Sequence, residues 1–351
     1  MIADRYEPIS GGIASGGMGA VHKCNDTILE RTVAIKVLAS NQEQRRIRDE
    51  ISALLKMRSK HVVQVYDVLT INDGDLAIVL EFINGVDLFD SSNAPQNLEK
   101  YLHLLWQIAS GIADIHSLGV IHRDIKPNNM KIDHEGVVKI FDFGLSRDDG
   151  KAAETLGFAG TFGFAAPELF FHHAKFTPAV DTYAFGATAL LMGTGSLPAE
   201  LLEKPPRCNG SDFFSAVNFP LDATLVALLN SCLCANPNHR PQMGDVRDLL
   251  AKHLLFDRHK ALVVFDKKAS YLDKNRRTVR LKLASIGEIS ICYDGFSFKV
   301  DFVQGEVFLN NRAVVVGDEL PGACVVALGS PDRKAHRRYI TFDLSNPEIV
   351  L

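Results

Sequence analysis

The chain has 351 residues, a net charge of −4, 46% apolar and 23% charged residues. That length exceeds what one core usually organises, and the composition is that of a globular protein, which excludes disordered and collagen-like classes. Acidic residues are in excess over residues 1–255 and basic residues over 256–351, an asymmetry too mild to demand nucleic acid as a partner. The six cysteines, at 24, 208, 232, 234, 292 and 324, are scattered, so they do not read as a disulfide framework. Cys232 and Cys234, placed on one helix, would point apart. The start MIADRYEPIS lacks a leader pattern, and no apolar run reaches the length of a membrane span. The expectation is a cytoplasmic protein with no membrane partner.

In chain order, residues 5–90 read mainly as strands, with VAIKVL (33–38) and LAIVLEF (76–82) the clearest. Between them Ile47, Ile51, Leu54 and Leu55 recur at helical spacing. From Leu98 the period changes: LEKYLHLLWQIASGIADIHSLG predicts a long helix closed at Gly119. Residues 165–255 continue mostly helical. Beyond 256 the segments VRLKL, ISICYD, FSFKVDF, EVFLNN, CVVALG and RYITFDL alternate as half-buried strands do, and predict a small β-sandwich after a link near 253–260.

The chemistry-bearing residues come in a fixed order. IASGGMGAV (13–21) is a glycine-rich turn whose N–H groups could approach phosphate oxygens, a weak signal alone. Lys36 ends the apolar VAI run, and Glu50 shares the helix face of Ile47 and Leu54, with Glu43 and Asp49 as nearby acids. HRDIKPNN follows at 122–129, DFG at 142–144 and APE at 166–168.

Taken together these segments resemble the protein kinase superfamily over residues 5–255, and the spelling GGMGAV with RTVAIKVL is similar to the eukaryotic-like serine/threonine kinases of bacteria. The resemblance implies an α+β fold with two lobes, a β-rich small lobe and an α-rich large lobe, in a domain of residues 1–255. It implies ATP and Mg²⁺, with Mn²⁺ as an alternative ion, and protein substrates. By that resemblance Lys36 holds the α- and β-phosphates and Glu50 pairs with it. Asp124 orients the substrate hydroxyl and takes its proton, and Lys126 contacts the γ-phosphate. Asn129 and Asp142 ligate the metal. The nucleotide is lined by Ala14, Gly16, Gly17, Gly19, Val21 and Ala34, by Leu80 and the backbone of Glu81 and Ile83, and by Asp87 at the ribose. Ala14 departs from the family's first glycine, and Phe164 from its tyrosine. His122 reads as structural, Arg123 as a partner for a phosphate on the activation segment. Within that segment Thr155 is the leading phosphosite and Thr161 supports the substrate platform. Asp181 anchors the catalytic loop, and Arg240 pairs with Glu168. Lys126-Pro127 and Thr161 favour serine or threonine as acceptor. The rival readings are a nucleotide-binding pseudokinase scaffold, a dual-specificity or tyrosine-directed kinase, and a kinase of small alcohols.

Residues 256–351 resemble a forkhead-associated (FHA) domain through GEVFLNNRAVVVGDELPGACVVALG. The phosphothreonine-binding residues of that family are not matched: Ser285-Ile286-Gly287 has no arginine beside it. The expectation is a docking or regulatory module. The clusters Arg276, Arg277, Arg280 and Arg333, Lys334, Arg337, Arg338 read as solvated loops, or as a patch for an acidic or phosphorylated surface. No aromatic stripe supports nucleic acid.

Overall fold

The computed structural model describes the chain except residues 1, 17–18, 39–50, 72–74, 91–92, 144–162, 172–175, 209, 211 and 350–351; at 10–16 and 19–20 it describes the backbone alone. Glu50, Gly17, Thr155 and Thr161 therefore lie outside the described residues, as do the side chains of Ala14 and the glycines at 16 and 19. The chain divides into two compact units, residues 1–250 and 251–350.

The first unit opens with a five-stranded sheet in the order β1-β2-β3-β5-β4, where β1 is Tyr6–Gly16, β2 Gly19–Asp26, β3 Arg31–Leu38, β4 Val65–Ile71 and β5 Asp75–Glu81. Period-two alternation in RTVAIKVL sends Val33 and Ile35 into a core with Tyr6, Cys24, Ala77 and Val79, and leaves Ala34 and Lys36 on the opposite face. The β2–β3 turn is closed by the buried Asp26 carboxylate, which accepts from Ile28 N and Leu29 N and meets Arg5 at 2.7 Å. Arg5 is the main reason that the Asp26 carboxyl is held down at about 2.

Residues 51–56 are helical. The long helix α1 runs Leu98–Ser117; Asn97 caps it by accepting from Lys100 N at 2.8 Å, and Gly119 follows at φ +72°, a left-handed stop that suits glycine. Inside α1, a Cβ on Gly111 would come within 2.8 Å of Ile140 Cδ1 and 3.0 Å of His61 O, so the helix presses backbone-close on the strand beyond. That strand belongs to a small sheet β6-β7-β8 (Gly85–Asp87, Met130–Asp133, Val138–Ile140). The helix α2, Pro178–Thr194, is buried along most of its length, which explains its nearly uninterrupted apolar sequence. Helices α3 (Ala223–Cys232) and α4 (Met243–Leu254) follow. Cys232 ends α3 and Cys234 lies beyond it, so the two cysteines do not share the helix expected of them; both are free thiols.

The second unit is a two-sheet antiparallel sandwich. One sheet has the order β10-β9-β17-β16-β14-β15, the other β11-β12-β13. Its strands are β9 Ala261–Phe265, β10 Lys268–Leu272, β11 Thr278–Leu283, β12 Gly287–Tyr293, β13 Phe298–Gly305, β14 Val307–Leu309, β15 Arg312–Ala313, β16 Cys324–Leu328 and β17 Arg338–Leu344. Inward residues of both sheets, among them Val263, Ile289, Ile291, Val326, Ile340 and Phe342, form one apolar core. The hairpin β9–β10 was not among the strands expected from sequence. The basic clusters also differ from open loops: Arg277 grips Asp257 at 2.7 Å, Arg280 and Lys282 hold Glu288, Arg333 holds Glu306 at 2.6 Å, and Arg337 is buried against Gly329 O. No helix among the described residues is long and apolar enough to cross a membrane.

Candidate active site

Four strands of the small sheet present one face to the site. Val21 stands opposite Lys36, and Ala34 opposite Leu80, so these side chains leave the sheet together, and Ala14 is the backbone partner of Val21 at the rim. Gly16 pairs with Gly19 across the glycine-rich turn. Lys36, only 6% exposed, reaches Asp142 Oδ1 at 2.5 Å. Asp142 sits at φ +65° and Arg123 at φ +69°, a backbone region costly for side chains with a Cβ, so the two ends of the catalytic region are both held in strained turns.

The catalytic loop is fixed from beneath. Asp181 on α2, 1% exposed, accepts from His122 N and Arg123 N, each at 2.8 Å, and from His116 Nε2 at 2.9 Å. His122 is fully buried; its Nε2 lies 3.1 Å from Phe141 O, its Nδ1 takes the Asp124 N–H at 3.3 Å, and its ring packs 4.7 Å from Phe143. Burial pushes its pKa down, so it stays neutral and structural. Asn129 donates both amide hydrogens to Asp124, to the backbone O at 2.8 Å and to Oδ2 at 2.9 Å. Lys126 Nζ lies 3.0 Å from the same Oδ2. Thus residues 124, 126 and 129 form one group and residues 36 and 142 a second, and Phe141 N, beside Asp142, donates to Asn129 O at 3.0 Å. The only counter-ion seen for Lys36 among the described residues is Asp142, a carboxylate expected to act on metal; Glu50, its expected partner, falls outside them.

Lower in the large lobe, Arg240 forms a two-pronged pair with Glu168 at 2.7 and 2.8 Å, its guanidinium side chain wholly buried, and also donates to the carbonyls of Cys234 and Ala179. This ties the end of the APE segment to α2 and to the turn before α4.

Two ties had no signal in the sequence. Glu81 turns its carboxylate away from the strand edge, accepting from Gln64 N at 3.1 Å and meeting Lys139 of β8 at 2.9 Å. Its backbone N–H is given to Gln64 O at 2.9 Å. Asp87 is exposed and lies 3.7 Å from Lys131 of β7. A lysine inside a short strand gives no hint of its cross-strand partner, which is why both pairs escape a linear reading.

The donor set suits a hard cation. With both amide hydrogens on Asp124, Asn129 keeps Oδ1 as an acceptor, and Asp142 supplies carboxylate oxygens: two oxygen donors that, with a polyphosphate and waters, match the octahedral preference of magnesium.

Comparison with known proteins agrees with this geometry. The model of the protein kinase domain matches residues 9–254. A probable serine/threonine-protein kinase, pknA2, of Bifidobacterium longum is 37% identical over 210 residues, 56% of this chain and 27% of that protein. The serine/threonine-protein kinase PrkC of Bacillus subtilis is 34% identical over 206 residues, covering 56% and 31%. This chain therefore spans less than a third of either relative's length. Among solved structures, Rad53 1-466 in complex with AMP-PNP superimposes with a TM-score of 0.54 at 25% identity, over 70% of this chain and 64% of that one. The chain belongs to the protein kinase family.

Proposed function

We propose that this protein is an ATP-dependent kinase that phosphorylates serine and threonine hydroxyls of proteins, its own chain included. The observation that carries the reading is two side-chain pairs, Lys36–Asp142 and Asp124–Asn129, drawn from three separate segments and tied together where Phe141 N, next to Asp142, donates to Asn129 O. Membership of the family brings the use of ATP and a divalent cation; the oxygen donors Asn129 and Asp142 favour Mg²⁺. Bound there, the cation neutralises charge on the phosphate oxygens. Lys36 and Asp142 are each other's counter-ion. With a metal nucleotide bound, Lys36 would hold the α- and β-phosphates and Asp142 would hold the metal. Asp124 orients the acceptor hydroxyl and accepts its proton as the new O–P bond forms and the bond to the β-phosphate oxygen breaks, releasing ADP. Lys126, already at Asp124, neutralises the transferring group. His122 moves no proton; it holds the loop.

The reading divides the chain into a kinase domain, residues 1–255, and an FHA-like module, 256–351, that docks or regulates. It places the enzyme in the cytoplasm, where ATP and Mg²⁺ are supplied. Activation-segment roles for Thr155 and Thr161 belong to the same reading.

The test is incubation of the full chain with labelled ATP and a generic protein substrate, followed by site mapping. Label should appear on serine and threonine. Lys36→Met and Asp142→Asn should each lower transfer by about 10³-fold while leaving the circular dichroism unchanged. Retained ATP binding with no transfer by the wild type would favour a scaffold; label mainly on tyrosine would overturn the specificity.

A further inference from the structure

The two outer faces of the sandwich differ in a way that its fold does not require. Each strand sends alternate residues into the shared core and the others outward, and an outward face in water is ordinarily polar. The three-stranded sheet obeys this. Its outward positions carry Thr278, Arg280 and Lys282 on β11, Glu288 opposite Lys282, and Lys299 on β13. The six-stranded sheet does not. Val263 and Ile340 point into the core, so Val264 and Thr341 point out. Across the middle of that face Ala269 stands opposite Val264, Val264 opposite Thr341, and Thr341 opposite Val325. One flank adds Tyr271 opposite Leu262, and the other sets Tyr339, Ala327 and Phe308 in one row. Tyr271 is 58%, Tyr339 56% and Val325 37% exposed. Of the described strand positions on this face only Asp343 bears a charge.

An apolar face of this extent calls for a partner, and its size and charges fit a second copy of this chain. The sheet has six strands, and β9 and β16 at its middle are five residues long. At the usual strand spacing and rise that makes a face of about 500 Å² in projection, so two such faces bury on the order of 1,000 Å², the size at which specific interfaces begin. The charges are self-complementary. Arg337, just before β17, sets its guanidinium 5.3 Å from the Tyr339 ring and 5.4 Å from the Phe308 ring, which makes that flank positive. Asp343 makes the opposite flank negative, and Thr341 lies midway between Tyr339 and Asp343. A two-fold axis crossing β17 at Thr341 brings Asp343 of each copy to the Tyr339 flank of the other. There the tyrosine hydroxyl can donate to the carboxylate, and Arg337 supplies the opposite charge. A lipid surface would also cover the apolar middle, but it would bury Asp343 without a partner.

We propose that the outward face of the six-stranded sheet is a homodimer interface, in which two sandwiches pack face to face about a two-fold axis at Thr341.

The experiment is sedimentation of the full chain over a range of concentrations, with circular dichroism to confirm that each variant is folded. The wild type should show a monomer–dimer equilibrium with a micromolar dissociation constant. Val325→Lys sets an unpaired ammonium in the middle of the face and should raise that constant by about 100-fold. Thr278→Lys, on the outer face of the other sheet, should leave it unchanged. Val325→Asp should be monomeric like Val325→Lys, and an equal mixture of the two should recover a dimer, because the axis brings the middles of the two faces together and pairs the new charges. A misfolded variant could not be rescued in this way. A wild type that stays monomeric at about 100 μM overturns the proposal and gives the face to another partner. A dimer that withstands Val325→Lys, or a mixture that stays monomeric, overturns it as well.

Discussion

The kinase unit and the sandwich handle charge in opposite ways. In the kinase unit the ions are inside: Asp181 is 1% exposed, Lys36 6%, and the Arg240 guanidinium 0%. Asp181 and Arg240 are each matched by several partners, and Lys36 by Asp142, more than a hundred residues away in sequence. In the sandwich the core is apolar, and most charges sit in surface pairs such as Arg280–Glu288 and Lys299–Asp294, their cations about half exposed or more, with Arg337, buried against Gly329 O, the exception. Burying an ion costs several kcal/mol before its partners compensate, so a fold retains such groups where they hold a shape that apolar packing cannot specify. The contrast separates a unit built around a polar centre from one built as a scaffold.

That contrast can be broken or sharpened by mutation. Arg240→Ala should have the largest effect on stability: it leaves Glu168 and three carbonyls without their buried donor, at a cost of about 4 kcal/mol. Denaturant unfolding followed by a probe in the kinase unit would read it, and a loss under 1 kcal/mol would show that burial there carries little. His61 comes next. It is 2% exposed, lies 3.2 Å from Val138 O, and burial pushes its pKa down to about 4. Between pH 6.5 and about 4 the unfolded chain binds a proton that the folded one refuses, so stability falls as pH falls through that window, by ~3 kcal/mol in total. His61→Gln should flatten this part of the stability–pH curve; an unchanged slope would assign it to other groups. The smallest effect belongs to the sandwich: Arg280→Ala should cost less than about 1 kcal/mol, because its side chain is 64% exposed. In the same unit, titration with phosphothreonine peptides should give no phosphate-dependent binding, since Arg277, Arg280 and Arg333 already serve Asp257, Glu288 and Glu306. Micromolar, phosphate-dependent binding would erase the distinction between the two units.

The legibility of the sequence follows the same division. Helix α1 was readable because its period, its Asn97 cap and its Gly119 stop agree. The residues expected at the site could be picked out because their spacing is that of a motif. The hairpin β9–β10 was not, because its two-residue turn is Asp266-Lys267, both at positive φ (48° and 61°), where Asn-Gly or Asp-Gly would have signalled it. By contrast Asn310-Asn311, at 47° and 68°, announces the turn between β14 and β15. The basic clusters are mostly exposed, but their ion pairs escaped a linear reading for a related reason. Arg277 finds Asp257 twenty residues away, and Arg333 finds Glu306 across twenty-seven, and no linear window displays such pairs. Lys131 escaped likewise, since its partner Asp87 belongs to the neighbouring strand.

The outward turn of the Glu81 carboxylate also bears on inhibitor chemistry. Because Gln64 N and Lys139 already occupy it, a compound lying against this strand edge meets no open anion. A basic amine aimed there would shed its hydration for nothing.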